Sequence, residues 1–228
     1  MSGPPHAVLP VRDLTEGKSR LRAVLAPSER WAFNRWLLER MLDALAAYPG
    51  PARTAVATGS REAKALAHQR GMATIDDPGL GLNGAVARGF EVLRGRKVEA
   101  AFVVPVDLPF ATAQSLRLLV ESAWAAPVCL VAPDRCGQGT NFLYQSPLRL
   151  AEFSYGEGSF ERHCAAAAAA GLKVQISRDE RCAFDVDTPA DFAEWRRLCE
   201  ENSGAEAAPP PLGDRRRDVE HRIPYQTL

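Results

Sequence analysis

Three aspartates, Asp107, Asp185 and Asp187, carry the strongest chemical signal in the sequence. Two of them stand in "CAFDVDTPADF" (182–192), where an apolar run ends in two acids separated by one valine. In a strand, residues i and i+2 point to the same face. Asp185 and Asp187 therefore aim two negative charges at one spot beside a stretch that reads as buried. Such charges repel, and burying them is costly unless something positive accompanies them. The third acid, Asp107, follows the apolar run in "FVVPVDLPF" (102–110) and is flanked by Pro105 and Pro109. The carboxyl end of a central strand is where open α/β sheets bind ligands. A turn-forming aspartate beside proline is the plainer alternative at that position. With Asp185 and Asp187 also at a strand end, the three acids can converge across one sheet edge. Hard oxygen donors without sulfur or imidazole select magnesium, with manganese as substitute. The expected positive partner is one or two magnesium ions with a nucleotide phosphate between them.

A cationic loop precedes these acids in the chain. "GKS" (17–19) suggests a phosphate-binding P-loop, but the full pattern needs glycine where Arg12 stands. Even so, "PVRDLTEGKSRL" places Arg12, Lys18 and Arg20 after the first apolar strand, and three close cations suit a polyphosphate. An ordinary surface loop fits the same charges. Two glycine-bearing loops follow, "GQGTNFLYQSP" (137–147) and "FSYGEGSFERH" (153–163). In the second, Ser159 opens a helix whose free N–H groups and dipole favour an anion. Simple capping by Ser159 explains it equally well.

The elements that must position these residues alternate. Strands are predicted at 7–11, 53–58, 100–106, 127–133, 141–146, "KVQIS" (173–177) and "CAFDV" (182–186). Helices are predicted from Ser28 as N-cap to the Pro49-Gly50 stop, and at 60–71, 82–95, around 112–124 and 159–171. A last helix takes Thr188 as N-cap and Pro189 as its first residue, a favoured pairing. Such alternation predicts an α/β sheet covered on both faces. From Ser203 the composition changes to "SGAEAAPPPLGDRRRDVEHRIPYQTL", which reads as a disordered C-terminal tail (203–228) after one domain (1–202).

Charge is balanced at 28 Lys+Arg against 28 Asp+Glu, which gives no reason to expect nucleic acid or an anionic membrane as partner. No apolar run reaches membrane-spanning length, and the N-terminus lacks a signal-peptide pattern. Five scattered cysteines without C-x-x-C read as reduced thiols of a cytoplasmic protein. The four histidines lack ligand spacing, which disfavours zinc.

"LPVRDLTEGKSRL", "LNGAVARG", "VPVDLPF", "GTNFL", "YGEGSFERH" and "FDVDTPADF" occur in this order. Over residues 7–198 the set resembles the 2-phospholactate/phosphoenolpyruvate guanylyltransferase family of coenzyme F-420 biosynthesis. The resemblance implies a Rossmann-like, GT-A-like nucleotidyltransferase fold with three layers and a mixed, mostly parallel sheet. It implies magnesium on Asp107, Asp185 and Asp187, and phosphate on Lys18. It implies the nucleotide near Pro10, Arg12, Asn83 and Gly84. The acceptor's carboxylate would meet Thr140, Gly156 and Ser159. The implied partners are GTP, a phosphorylated three-carbon acid (2-phospholactate, phosphoenolpyruvate or 3-phosphoglycerate) and a deazaflavin-dependent transferase that takes the product. A homodimer is compatible with it. Two alternatives stay open on the residues alone: a metal-dependent D-x-D glycosyltransferase and a non-catalytic nucleotide-binding homologue.

Overall fold

The computed structural model describes residues 3–77, 79 and 81–201. The expected tail, 203–228, lies outside the described residues, as does the domain boundary at 202. Seven strands form one sheet among those residues: β1 (His6–Val11), β2 (Thr54–Thr58), β3 (Ala73–Asp76), β4 (Ala101–Val103), β5 (Val128–Pro133), β6 (Thr140–Ser146) and β7 (Lys173–Ile176). Their spatial order is β3-β2-β1-β4-β6-β5-β7. Every pairing is parallel except those of β6 with β4 and β5. The helices are α1 (Pro27–Ala47), α2 (Arg61–Gln69), α3 (Gly81–Gly95), α4 (Ala113–Glu121), α5 (Ser159–Ala169), α6 (Glu180–Ala183) and α7 (Pro189–Glu201).

The layers follow from strand alternation. On β1, Ala7, Leu9 and Val11 face Leu38, Met41 and Leu42 of α1, Leu66 of α2 and Leu116 of α4. Val8 faces the opposite layer, with Val86 and Phe90 of α3 and Ala167 of α5. Helix α3 sits so close that a Cβ on Gly89 would come 2.6 Å from Val8 Cγ1. The expected mixed, mostly parallel three-layer fold is the observed one.

Three local expectations are corrected. "CAFDV" is not a strand: Cys182 belongs to α6, and the chain from Phe184 to Asp187 belongs to no helix and has no sheet partner among the described residues. The burial still alternates, with Cys182, Phe184 and Val186 buried and the residues between them partly exposed. The strand expected over 100–106 pairs only through Val103, since Pro105 cannot donate to a ladder. Helix α1 starts at Pro27, where the Glu29 side chain accepts from the Ala26 N–H, and not after Ser28. Strand β3 was not anticipated.

The chain moves outward from β1 to β3 and then returns to place β4 on the other side of β1. The crevice between the carboxyl ends of β1 and β4 is thus a topological switch point, where open α/β sheets bind ligands. The loop after β1 carries Lys18, and the loop after β4 carries Asp107.

Candidate active site

Lys18 adopts left-handed backbone angles, φ 54° and ψ 41°, and leads into a short 3-10 turn over Ser19–Ala23. This conformation costs a residue with a Cβ about 1–3 kcal/mol and clusters at functional sites. The surroundings impose it. Leu21 is fully buried. Gly17 lies so near α1 that a Cβ there would come 2.6 Å from Asn34 Nδ2. That buried amide donates to the Leu14 carbonyl at 2.8 Å. The loop is thereby clamped to α1 on both sides of the glycine.

The Lys18 ammonium turns inward and donates to Asp107 Oδ2 at 2.9 Å and to Asp187 Oδ1 at 2.7 Å. Its side chain is 9% exposed, against 28% and 44% for the two acids. Burial opposes its charge, but the Asp107 and Asp187 carboxylates outweigh burial and hold its pKa above the usual lysine value. Within the chain, the positive partner of these two acids is therefore Lys18. Among the described residues Asp185 has no such cation partner. Burial, then the Asp107 and Asp187 charges, push its pKa up to about 6, with Asn141 partly offsetting them. Asn141 Nδ2 lies 3.5 Å from Asp185 Oδ1 and donates to the Ala183 carbonyl at 3.2 Å.

The unpaired 184–187 segment is held by its alternate side chains. Phe184 and Val186 enter a separate small core with Leu21, Leu25, Phe33, Leu37, Phe192 and Trp195, which leaves Asp185 and Asp187 for the crevice. The Val186 N–H donates to the Asp107 carbonyl at 3.2 Å. Asp191, in the first turn of α7, accepts from the N–H of Asp187 and of Thr188 and from the Thr188 hydroxyl. Thr188 Oγ1 accepts in return from the Asp191 N–H, so Thr188 caps α7 as expected and Asp191 completes a capping box. Arg135, from the β5–β6 connection, pairs with Asp191 at 2.6 Å and lies 3.9 Å over the Phe184 ring.

A second polar cluster lies one residue away along β6. Thr140 and Asn141 are adjacent and face opposite sides of the sheet. Asn141 meets Asp185, whereas Thr140 meets α5. Thr140 Oγ1 lies 3.4 Å from Ser159 Oγ and 3.0 Å from His163 Nδ1. Gly156, at φ +115°, makes the turn before α5 in a conformation that suits only glycine. The first N–H groups of α5 are already engaged, Ser159 by the Gly156 carbonyl and Phe160 by the Gln138 carbonyl. What the pair can offer an anion is hydroxyl groups.

The remaining expected residues are more dispersed. Arg12 and Arg20 are exposed, so only Lys18 of the three loop cations turns inward. Pro10 is buried in β1 beside Ala57. Asn83 accepts from the Tyr155 N–H at 2.6 Å, which fastens the start of α3 to the glycine loop, and Gly84 follows it in α3. Asn34, Asn141, His163 and Asp191 were not anticipated. For His163 a signal existed: it stands four residues after Ser159, on the same helix face.

The donor set suits a hard divalent cation, because three carboxylates share the edge, and burial together with the Asp107 and Asp187 charges raises the Asp185 pKa to about 6. Among the described residues, however, no three acidic, histidine or cysteine side chains are placed so that they could hold a metal ion by themselves. A cation there would need further oxygens from a ligand. No described helix is long and apolar enough to cross a membrane.

Comparison with known proteins places the chain in a family. Residues 5–202 match the family described as "Guanylyl transferase CofC like". A phosphoenolpyruvate guanylyltransferase of Sphaerobacter thermophilus is 37% identical over 82% of this chain and 90% of its own. Its namesake in Rubrobacter xylanophilus is 34% identical over 82% and 91%. Among solved structures, a protein described as a nucleotide-diphospho-sugar transferase from Desulfovibrio desulfuricans superposes with a TM-score of 0.72 at 15% identity, covering 89% of this chain and 90% of that one. A cytidylyltransferase from Leptospira borgpetersenii gives 0.59 at 15% identity, covering 91% of each chain. At that identity the two structures speak to the fold alone.

Proposed function

The chain belongs to the CofC-like guanylyl transferase family, and from that premise we propose that it condenses GTP with a phosphorylated three-carbon acid at the β1–β4 crevice. Phosphoenolpyruvate is the favoured acid, because the curated relatives carry it in their names. A phosphate oxygen of the acid attacks the α-phosphorus of GTP. The bond from that phosphorus to the bridging oxygen breaks, and pyrophosphate leaves. The product is a diphosphate-linked guanosine for a deazaflavin-dependent transferase in coenzyme F-420 biosynthesis. Family membership decides against the glycosyl transfer that the D-x-D spacing alone left open.

The observation that carries this reading is the Lys18 ammonium bridging Asp107 and Asp187 beside Asp185, which has no cation partner among the described residues. An ammonium has three hydrogens. Two hold the acids at fixed positions, and the third is left for a phosphate oxygen. Asp107, Asp185 and Asp187 would hold magnesium or manganese together with phosphate oxygens, and the bound ion would neutralise charge on the attacking and leaving oxygens. The chain itself contributes placement and electrostatic balance. Asn83 and Gly84 would meet the nucleotide, and Thr140, Gly156 and Ser159 the acid's carboxylate.

The test is pyrophosphate release with GTP and, in turn, phosphoenolpyruvate, 2-phospholactate and 3-phosphoglycerate, with and without magnesium. Release that requires GTP, an acid and the metal is expected. Release without any acid, or none with all three, would overturn the assignment.

A further inference from the structure

His163 is 1% exposed, as is Ser159, and Thr140 is 5% exposed. The imidazole bridges two groups. The Ser154 N–H lies 3.0 Å from Nε2, and Thr140 Oγ1 lies 3.0 Å from Nδ1. A backbone N–H can only donate, so Nε2 must accept and the ring hydrogen of the neutral imidazole must sit on Nδ1. Burial, then the Arg162 charge, depress the pKa of His163 to about 4, which keeps the ring neutral. Nδ1–H thus donates to Thr140 Oγ1.

That direction has a consequence for the hydroxyl pair. Thr140 and Ser159 hold two hydroxyl hydrogens between them, and one is spent between their oxygens. Were Nδ1 an acceptor, the second hydrogen would go to the ring, and the pair would offer only lone pairs outward. With Nδ1 as donor, the second hydrogen is left over for an outside partner. We propose that His163 is a positioning residue that sets the hydrogen-bond polarity of the Thr140–Ser159 pair, so that the pair presents a hydrogen to a carboxylate oxygen of the acceptor acid. This rests on the acid's carboxylate lying at Thr140 and Ser159, as proposed above. It explains why a neutral histidine, and not a cation, backs an anion site. The discrimination comes from donor direction, and a ligand offering only donors at this point is turned away.

Two experiments test it. The first is steady-state kinetics with GTP saturating and phosphoenolpyruvate varied. His163→Phe keeps the ring shape and removes the Nδ1–H that holds the Thr140 hydroxyl with its lone pairs on the ring and its hydrogen outward, so the hydroxyl is no longer oriented toward the acid. It should raise the KM for the acid about tenfold, as expected for a hydrogen bond to a charged group, with kcat and the KM for GTP within about twofold of wild type. His163→Asn, whose amide can donate from a similar position, should recover most of the loss. Thr140→Val should match His163→Phe, and the double variant should be no worse than Thr140→Val alone. An unchanged KM in His163→Phe, or losses that multiply in the double variant, would overturn the proposal. If His163→Phe does not fold, His163→Leu, which also lacks a donor, supplies the same cycle with Thr140→Val.

The second experiment reads the tautomer directly by nitrogen NMR of labelled histidine in the ligand-free protein at pH 7. The Nδ1-protonated neutral form is expected, and an Nε2-protonated or doubly protonated ring would overturn the proposal. This readout needs no turnover. A wild type inactive with every acid would therefore fail the reaction assignment, while the NMR result still decides the polarity.

Discussion

Lys18, Asp107 and Asp187 meet water at 9%, 28% and 44% side-chain exposure, while Thr140, Ser159 and His163 are buried at 5%, 1% and 1%. The first group is charged and open, the second neutral and closed, and consecutive residues of β6 join them. They obtain their geometry differently. The closed cluster lies among side chains of the sheet and α5, and each of its hydrogen bonds constrains the next. The open cluster sits on loops, so its order comes from outside, through the aromatic core of Phe33, Phe192 and Trp195 under the 184–187 segment. A site that must admit a highly charged ligand cannot be buried, and here its rigidity comes from a core behind it.

The sharpest way to break this contrast is Trp195→Ala. Trp195 is fully buried and packs at a tilt against Phe33, Trp36 and Phe192. Its loss should cost about 3–5 kcal/mol of stability in urea unfolding. The His163 NMR signal should stay unchanged while the D-x-D segment loosens, which amide hydrogen exchange at Val186 would report. Next in size is Lys18→Met, which leaves Asp107 and Asp187 without their counter-charge. Pyrophosphate release should fall by about 10²–10³ in kcat, and the Asp185 titration should move further upward.

Much of this contrast was legible in the sequence. Asp107, Asp185, Asp187 and Lys18 stand out by type and context, and the order of the motifs points to one reaction. The support was harder to read. "CAFDV" alternates as a strand does, yet alternation reports which side chains are buried and not whether the backbone has a ladder partner. Strand β3 sits at the sheet edge with its residues partly or fully exposed, so its hydrophobic signal is weak. His163 is a single histidine whose meaning depends on Ser154 and Thr140, which the fold brings to its two ring nitrogens. The sequence reading supplied magnesium as the counter-charge, whereas the folded chain supplies Lys18 for two of the acids.

Two smaller effects sharpen the comparison. Gly17→Ala would drive a Cβ into Asn34 Nδ2 and displace the clamp on the Lys18 loop. A loss of about 1–3 kcal/mol is expected, with a raised KM for GTP and an unaltered KM for the acid. The smallest effect concerns Asp185. Its folded pKa of about 6 lies above the unfolded carboxylate value near 4. The folded state therefore holds more protons between these values, and this group's contribution to stability declines as pH rises through that window. Asp185→Asn removes the decline. In metal-free buffer it should melt roughly 2–4 °C above wild type at pH 8, with little difference at pH 4. Thermal scans at the two pH values check this, and an equal shift at both would assign the gain to another cause. Asp187→Asn should show no such gain, because Asp187 already has Lys18.

The small aromatic core also orders events during synthesis. It joins Leu21 and Leu25, near the start of the chain, to Phe192 and Trp195 in the last described helix. Lys18 and Asp107 leave the ribosome long before Asp187 and α7 exist. Until then the lysine has one acid, the D-x-D segment is missing, and the crevice cannot bind a triphosphate in the final arrangement. The emerging chain can form β1 to β6 and still be catalytically silent. Because Trp195 follows Lys18, Asp107 and Asp187 in the chain, competence arrives as one step once α7 is made. A ribosome-stalled series ending before and after α7 should show nucleotide protection from proteolysis only once that helix is free of the exit tunnel.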